Sequence, residues 1–369
     1  MSNWYIGIMS GTSMDGVDSV LVDFQITGLK VLQHVFIPFP ASLQKELLAL
    51  NQPSHNELHR AATAANQLVN WYAQSVEQLL SLQQLLPSEV QAIGVHGQTV
   101  RHRPQEFDGV GYTLQINNPA LLAELTQIKV IADFRTRDVA AGGQGAPLVP
   151  AFHQAVFGSP TATRVVVNIG GIANLSVLKA DGSVLGWDCG PGNALMDFWC
   201  ARHTGQAFDR DGAWAKTGQL QPALLSSLAS DPFLHKPPPK STGRDLFNPP
   251  WLQQHLALLE DLQPADVQAT LCAFTALACS QDLLRHAPET SQLVVCGGGA
   301  LNDELMRLIA AQLPGISVLN SEALGLPPLQ VEAAAFAWLA FKTIRRETSS
   351  LPSVTGAQGA RVLGAIYPA

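Results

Sequence analysis

Three glycine-rich turns follow apolar runs in the chain. They read GTSMDG at residues 11–16, NIGGIAN at 168–174 and CGGGALN at 296–302. Glycine suits a loop whose backbone N–H groups approach a phosphate or an adenine ring, because no Cβ stands in the way. One such turn alone would more often be a hairpin that only requires a positive φ. Three in one chain favour a nucleotide-binding site.

Other catalytic motifs are missing or incomplete. The sequence has no GxxxxGK[ST] phosphate loop and no GxGxxG turn that opens a helix after the first strand, which excludes P-loop and dinucleotide-binding folds. Residues 216–218 read KTG, a motif of penicillin-recognising serine hydrolases, but the SDN partner of that motif does not occur. We therefore set the hydrolase class aside.

The composition predicts a folded protein without a nucleic-acid surface. Hydrophobic residues make up 47% of the 369 residues and charged residues 14%, so core material is plentiful. At about 100 to 200 residues per domain, this length predicts two domains or one large α/β domain with a cleft. The net charge of −7, without any stripe of Lys and Arg, argues against binding to nucleic acid.

The cysteines and the apolar runs indicate a cellular location. Five cysteines, with no CxxC pair among them, predict a reducing compartment and no zinc site. No uninterrupted apolar run approaches the roughly 18 residues of a membrane span, and the N-terminus lacks the charged region of a signal peptide. We expect a soluble, cytoplasmic protein with no membrane partner.

Two segments half a chain apart share one pattern. Residues 5–23 and 164–178 each read as an apolar strand, a turn of small residues and a second apolar strand, which predicts two hairpins. The repetition indicates a duplication of two α/β lobes. Strands that alternate with helices through the rest of the chain predict βαβ units and mostly parallel sheets.

The remaining pattern gives the other elements and the lobe boundaries. Helices are predicted at residues 55–84, 266–284 and 331–347, strands at 90–95 and 128–133, and a strand-to-helix junction at 188–193. The Pro-rich segment 235–251 is predicted to be irregular, and the Gly-rich segment 142–150 to be a hinge or crossover. We assign residues 1–133 and about 347–369 to the first lobe and 134–346 to the second.

The three turns and further motifs resemble a known family. The first two turns each lie between two strands, and the third, GGG, lies between a strand and a helix. This is the order of phosphate loop one, phosphate loop two and the adenosine loop in actin/hexokinase-like ATPases. The blocks IGIMSGTSMDGVD, GVHGQTV, ADFRTRD, NIGGIANLS, DCGPGN and KSTGRD resemble those of anhydro-N-acetylmuramic acid kinases in the same order, over nearly the whole chain. The resemblance implies a two-lobed α/β fold, the duplicated RNase H-like fold, with a central nucleotide cleft.

The resemblance also implies a reaction. Such a kinase uses ATP and Mg²⁺ to convert 1,6-anhydro-N-acetylmuramic acid and water to N-acetylmuramic acid 6-phosphate and ADP, in peptidoglycan recycling. A homodimer is implied as well, for which the apolar helix at 266–284 could supply the interface. The alternatives are a hexokinase-like kinase for another amino sugar and a non-catalytic ATPase of the same fold.

Residue roles carried over from the family fall into three groups: the general base, the contacts to the metal and to ATP, and the contacts to the sugar. Asp188 is the general base that activates water; the alternative is an N-cap aspartate for the helix that follows. Asp15 and Asp18 lie near the metal, directly or through water, or only cap turns. The ATP and phosphate contacts are Gly11, Thr12, Ser13, Met14, Asp15, Gly16, Val17, Asp18, Asn168, Gly170, Gly171, Gly297, Gly298 and Gly299.

The third group would bind the sugar, and consists of His96, Gln98, Thr99, Arg135 and Glu332. Arg135 offers a forked guanidinium to a phosphate or to the lactyl carboxylate, or forms an ion pair with Asp133 or Asp138. Glu332 is a sugar-site carboxylate or simply an acid at a helix N-terminus. The chain departs from the family pattern at Asn117, where the family has Gly, and at Cys189, where Thr is common. It also departs in LPPLQVE at 326–332, which lacks the acidic residue that the family has shortly before the helix glutamate, Glu332.

Overall fold

The computed structural model describes residues 3–11, 14–25, 28–243, 246–257, 259 and 262–369. The strands are β1 Trp4–Met9, β2 Gly16–Gln25, β3 Gly28–Pro38, β4 Ala92–Val95, β5 Gln98–Pro104, β6 Gly111–Ile116, β7 Val130–Ala132, β8 Arg164–Ile169, β9 Ile172–Leu178, β10 Val184–Pro191, β11 Gln292–Cys296, β12 Ser317–Asn320 and β13 Ala365–Tyr367. The α-helices are α1 Ala41–Ala49, α2 Glu57–Gln83, α3 Pro119–Thr126, α4 Thr136–Ala140, α5 Val149–Phe157, α6 Ala194–Thr204, α7 Pro222–Ala229, α8 Pro249–Leu256, α9 Pro264–His286, α10 Asp303–Gln312, α11 Val331–Ile344 and α12 Pro352–Thr355.

Two structural units make up the chain. Unit 1 comprises Met1–Phe152 and Gln330–Ala369, and unit 2 comprises His153–Leu329. Both boundaries differ from those expected from the sequence, near 133 and 346. The second one differs because α11 belongs to unit 1 rather than to unit 2.

Helix α11 lies directly on the sheet of unit 1. A Cβ at Gly7 in β1 would collide with the carbonyl of Ala333, and a Cβ at Gly94 in β4 would collide with that of Phe336. Glycine at both positions therefore lets the helix backbone approach the two strands closely. The alanine-rich start of α11, EAAAFA, fits the same narrow spacing.

The two units share one strand order. Unit 1 has the order β13-β7-β4-β1-β2-β3 and unit 2 has β10-β9-β8-β11-β12. In each unit, three successive strands form an antiparallel meander. A fourth strand then pairs in parallel with the first strand of the meander, and a fifth pairs in parallel with the fourth. The predicted hairpins are confirmed, and the shared order agrees with the predicted duplication. The prediction of mostly parallel sheets is wrong, because both meanders are antiparallel.

One further segment differs from the sequence-based expectations. The segment 235–251, predicted to be irregular, ends in the first residues of α8, where Pro249 and Pro250 occupy the first turn. Proline is tolerated there because the first N–H groups of a helix have no intrahelical partner. Asn248 caps this helix by accepting from the N–H of Trp251.

Helix α9 is the centre of the unit 2 core. By length and composition it could cross a membrane, but 78% of its apolar window is buried inside the structure. Its buried residues pack with those of β8 to β11 in one hydrophobic cluster. The apolar face suggested above as a dimer interface is therefore occupied by the unit's own core.

Candidate active site

Strand direction gathers the predicted unit 1 residues at one edge of the sheet. Strands β1, β4 and β7 are parallel, so their carboxyl ends meet at the same edge. Gly11 follows β1, His96 follows β4 and Arg135 follows β7. The amide Nε2 of Gln98 donates to the carbonyl of Gly11 across 3.1 Å, which joins two of these segments directly.

Arg135 and His96 form a cation–imidazole pair. Nε of Arg135 donates to Nε2 of His96 across 3.0 Å, and Nη1 donates to the carbonyl of Gly145 across 2.8 Å. His96 must therefore be neutral, with its proton on Nδ1. Burial, and then the charge of Arg135, lower the pKa of His96 well below its usual value. Burial lowers the pKa of Arg135 to about 10, although the negative charges of Glu332 and Asp138 act to raise it.

The guanidinium of Arg135 lacks a carboxylate partner. Within the described part of the chain, no carboxylate oxygen lies within 4.0 Å of it, so the ion pair with Asp133 or Asp138 considered above is not formed. Asp138 accepts instead from Thr355 Oγ1 and from the N–H of Gly145. A desolvated guanidinium with no carboxylate in direct contact favours an anionic ligand group.

Polar atoms without partners surround this pair. Among the described residues, Gln98 Oε1 and both amide atoms of Asn117 are buried and have no hydrogen-bond partner. Asn117 lies beside Gly97, where an added Cβ would come within 3.2 Å of the Asn117 Cβ. Such a set contains both donors and acceptors, which is what the hydroxyl groups of a sugar require.

The other two predicted sugar contacts lie differently. Thr99 Oγ1 already accepts from Gln115 Nε2 across 3.2 Å. Glu332 lies in the first turn of α11, as expected for an acid near a helix N-terminus. One turn further on, the ring of Phe336 lies 4.8 Å from that of His96, so α11 brings Glu332 to the same region.

The predicted phosphate loop one is shorter than expected. Thr12 and Ser13 lie outside the described residues, and Val17 and Asp18 are part of β2 rather than of the turn. Met14 is buried, and its N–H donates to the carbonyl of Gly11. Asp18 accepts from His34 Nε2 across 2.8 Å, and burial raises its pKa despite that hydrogen bond.

In unit 2, the second and third glycine turns lie against each other. Strands β8 and β11 are parallel, so the turns that follow them share an edge. A Cβ at Gly297, where φ is +76°, would collide with Oδ1 of Asn168, and one at Gly299 would collide with the side chain of Ile169. Glycine is therefore required at both positions by the packing of the fold.

Gly170 is different, because the nearest atom to an added Cβ would be 3.8 Å away. Its carbonyl accepts from the N–H of Asn193, and that of Gly171 accepts from the N–H of Gly192. The β8–β9 turn is thus fixed to the segment that follows β10. A Cβ at Gly298 would lie 3.4 Å from Nδ2 of Asn193, so this segment also reaches the third turn.

Asp188 lies in β10, next to a bulge. It pairs with Asn174, and the register then shifts before Gly190. Its N–H donates to the carbonyl of Lys240, while its Oδ2 accepts from Ser241 Oγ at 3.0 Å and from the N–H of Thr242 at 2.9 Å. The side chain does not cap α6, whose N-cap residue is Asn193, so the capping alternative is wrong.

Burial raises the pKa of Asp188. Hydrogen bonds from Thr242 and Ser241 and the charge of Lys240 act in the opposite direction. A carboxylate with a raised pKa holds a proton more firmly and is a better general base near neutral pH. Ser241 and Thr242 were missed in the sequence, although the KSTG block that contains them was a visible signal.

Across the described residues, no group of three or more His, Cys, Asp or Glu side chains is arranged to hold a metal ion. Magnesium in phosphoryl-transfer sites commonly relies on one or two carboxylates, with waters and substrate phosphates as its other ligands. Asp15, an exposed residue at the phosphate loop, is compatible with that arrangement. The five cysteines are free and buried.

Comparison with known proteins identifies the family of the chain. A sequence model of the family described as anhydro-N-acetylmuramic acid kinase matches residues 3–369. The kinase of that name from Variovorax paradoxus is 62% identical, over 99% of both chains, and the one from Albidiferax ferrireducens is 59% identical, over 100% of both.

A solved structure supports the fold alone. The activator of the 2-hydroxyisocaproyl-CoA dehydratase from Clostridium difficile, with bound ADPNP, has a TM-score of 0.50 at 13% identity and covers 93% of this chain and 96% of that chain. The predicted α/β fold with two sheet-based lobes is confirmed. By its sequence match, the chain belongs to the anhydro-N-acetylmuramic acid kinase family and is a phosphotransferase that acts on a small molecule.

Proposed function

We propose that the enzyme opens 1,6-anhydro-N-acetylmuramic acid with water and phosphorylates O6 at the expense of ATP. Water adds to C1 as the C1–O6 bond breaks, and O6 attacks the γ-phosphorus of ATP. The products are N-acetylmuramic acid 6-phosphate and ADP. The role of such a reaction is the recycling of peptidoglycan fragments.

Asp188 is the general base of this reaction and carries the proposal. Its Oδ2 is held by Ser241 and Thr242, while no described residue donates a hydrogen bond to Oδ1. One oxygen thus fixes the orientation of the carboxylate and the other is left to accept the proton of water. Its buried position raises its affinity for that proton.

The sugar is bound by the unit 1 cluster of His96, Gln98, Asn117 and Arg135. The hydrogen bonds of the Arg135 guanidinium go to His96 and to the carbonyl of Gly145 rather than to a carboxylate. It therefore suits the lactyl carboxylate, which is the only charged group of this sugar. The buried donors and acceptors around it suit hydroxyl groups. An unmodified hexosamine would leave Arg135 without an anion, so this observation favours the muramic sugar over other amino sugars.

ATP is bound by the glycine turns. In unit 2, Gly170 leaves open space beside the backbone of the β8–β9 turn, as an approaching phosphate requires. Asp15 in the unit 1 turn would hold Mg²⁺ through water. The ion would neutralise charge on the phosphates when bound.

We also propose that the protein is a cytoplasmic homodimer, as the family resemblance implies. Light scattering on purified protein would give about twice the chain mass of 39.4 kDa for a dimer. Fractionation of cells with an antibody against the protein tests the location. A mass of one chain, or recovery in the membrane or secreted fraction, would contradict the respective proposal.

A coupled ADP-release assay tests the reaction. Purified protein is given Mg²⁺-ATP with 1,6-anhydro-N-acetylmuramic acid, N-acetylmuramic acid or N-acetylglucosamine, and the product is identified by ³¹P NMR and mass spectrometry. We expect release with the anhydro sugar alone and a phosphate at O6. Release with a reducing sugar instead would indicate an ordinary hexosamine kinase. Release that needs no sugar would indicate an ATPase of this fold that is not a sugar kinase.

A further inference from the structure

A buried ion pair lies behind the proposed base. Asp282, on α9, and Lys240 each expose 2% of their side chains. Nζ of Lys240 lies 3.0 Å from Oδ1 and 2.9 Å from Oδ2 of Asp282. The indole Nε1 of Trp187 donates to the same Oδ2 across 2.9 Å. The carboxylate thus binds two residues that are far from it in the sequence.

Both partners of Asp282 are connected to Asp188 in turn. Trp187 immediately precedes Asp188 in β10. The carbonyl of Lys240 accepts a hydrogen bond from the N–H of Asp188. Lys240 also begins the segment 240–242, in which Ser241 and Thr242 each donate a hydrogen bond to Asp188 Oδ2. One carboxylate on α9 therefore fixes the strand that carries the base and the segment that orients its side chain.

Stability alone is a poor reason for such a pair. Removing two charges from water costs several kcal/mol per ion, and a buried pair often adds no net stability over apolar residues of the same volume. A rigid site for Asp188 is a better explanation, because a base displaced by about 1 Å loses about 100-fold in rate.

Charges around the base come from three elements. Lys240 lowers the pKa of Asp188. On α9, Arg285 Nη1 and His286 Nε2 lie 3.7 and 3.8 Å from Asp282 Oδ1. Cys189 in β10, whose Sγ lies 3.6 Å from that of Cys279, has a pKa well above its usual value and stays neutral. Lys240 is thus the cation that acts on Asp188 among the described residues.

We propose that Asp282 and Lys240 are positioning residues for the general base, which they hold from both sides through Trp187 and the segment 240–242. The inference rests on the role of Asp188 proposed above. Neither residue is expected to touch a substrate. Their loss should therefore change kcat and the pH profile while the KM for ATP and for the sugar stay within about twofold.

Variants of the pair test this inference. Asp282→Asn should lower kcat about 100-fold. Lys240→Met, which keeps most of the aliphatic stem, should lower kcat and move the acid limb of kcat/KM to higher pH, because the cation that opposes protonation of Asp188 is gone. Lys240→Arg keeps the cation and should keep the limb in place.

Asp231→Asn is the matched control. Asp231 also lies in unit 2 and accepts from a tryptophan indole, that of Trp251 at 2.9 Å. Among the described residues, no hydrogen bond joins its carboxylate to Asp188, to Trp187 or to the segment 240–242. Circular dichroism and thermal melting check that each variant folds. If Asp282→Asn does not fold, the test relies on Lys240→Met. The inference would be overturned if the variants of Asp282 and Lys240 fold and have the same kcat and the same acid limb of kcat/KM as Asp231→Asn. Turnover by Asp188→Asn would instead refute the proposed base.

Discussion

The Nε of Arg135 donates to Nε2 of His96, so a permanent cation lies against an imidazole that must be neutral. This contact aims the rest of the guanidinium away from His96. Arg135→Lys should raise the KM for the anhydro sugar about tenfold or more, because a lysine cannot donate to His96 and bind a carboxylate with a fork at the same time. Initial rates at varied sugar and saturating ATP measure the effect.

Arg137→Lys is the control for that prediction, since Arg137 is exposed on the same helix, α4. Its kinetic constants should match those of the unchanged enzyme. An Arg135→Lys variant with an unaltered KM for the sugar would show that the guanidinium does not contact it.

Asp188→Asn should reduce kcat by about 10²- to 10⁴-fold, the usual contribution of a general base. The amide has nearly the same shape, so the fold and the dissociation constant for ATP should be preserved, as calorimetry can measure. Asp181→Asn provides the comparison, because Asp181 is an exposed aspartate in the β9–β10 turn whose side chain accepts from Ser183. Equal turnover by the two variants would refute the role of Asp188.

The pH dependence of kcat/KM should have an acid limb. Burial raises the pKa of Asp188 above its usual value, and only the ionised carboxylate can accept a proton from water. Activity should therefore fall as the pH falls, with a midpoint above the ordinary aspartate range of about 3.9. A profile of kcat/KM that stays level below that range would be inconsistent with this base.

Gly170→Ala separates the needs of the fold from those of ATP. Its Cβ meets no atom closer than 3.8 Å, so the melting temperature should barely change. If the β8–β9 turn binds a phosphate, the new methyl group should raise the KM for ATP about tenfold, equivalent to one lost hydrogen bond to a charged group. Gly297→Ala should instead lower the melting temperature, because a Cβ there collides with Asn168. Unchanged ATP kinetics in Gly170→Ala would remove the turn from the nucleotide site.

Asn117→Gly introduces the residue that the family pattern has at this position. Both amide atoms of Asn117 are buried and unpaired among the described residues, so we expect them to bind the sugar. The variant should raise the KM for the sugar several-fold, by the loss of about 0.5–1.5 kcal/mol per hydrogen bond. The control is Gln127→Gly, because Gln127 is exposed and its backbone is left-handed, a conformation that glycine adopts readily. Asn118→Gly is unsuitable as a control, since Asn118 caps α3. An unchanged KM in Asn117→Gly would assign the side chain to packing alone.

Local pattern was enough to predict much of this fold. The hairpin of β1 and β2 and that of β8 and β9 follow from apolar runs on either side of small residues, and Asp188 was recognised near the end of a strand. The prediction of mostly parallel strands was wrong because an antiparallel meander and a βαβ unit can have the same alternation of apolar segments along the chain. Only the pairing of strands distant in the sequence distinguishes them.

The environment of Asp188 could not be predicted for a related reason. Ser241 and Asp282 are 53 and 94 positions away along the chain, and neither a propensity nor a spacing rule brings them to β10. The same holds for Arg135 and His96, which are 39 positions apart and meet only because β4 and β7 are parallel neighbours. Contacts of this kind exist once the sheets have formed.

The close approach of α11 to Gly7 and Gly94 has a consequence for synthesis on the ribosome. Unit 2 is one continuous segment, so all of its residues have been translated before α11 emerges. The strands β1 and β4, although made first, keep the face at Gly7 and Gly94 exposed to water until residues beyond 330 leave the exit tunnel. The nascent chain thus carries an unfinished amino-terminal sheet through most of its elongation, and this is the interval in which chaperones would have the most apolar surface to protect.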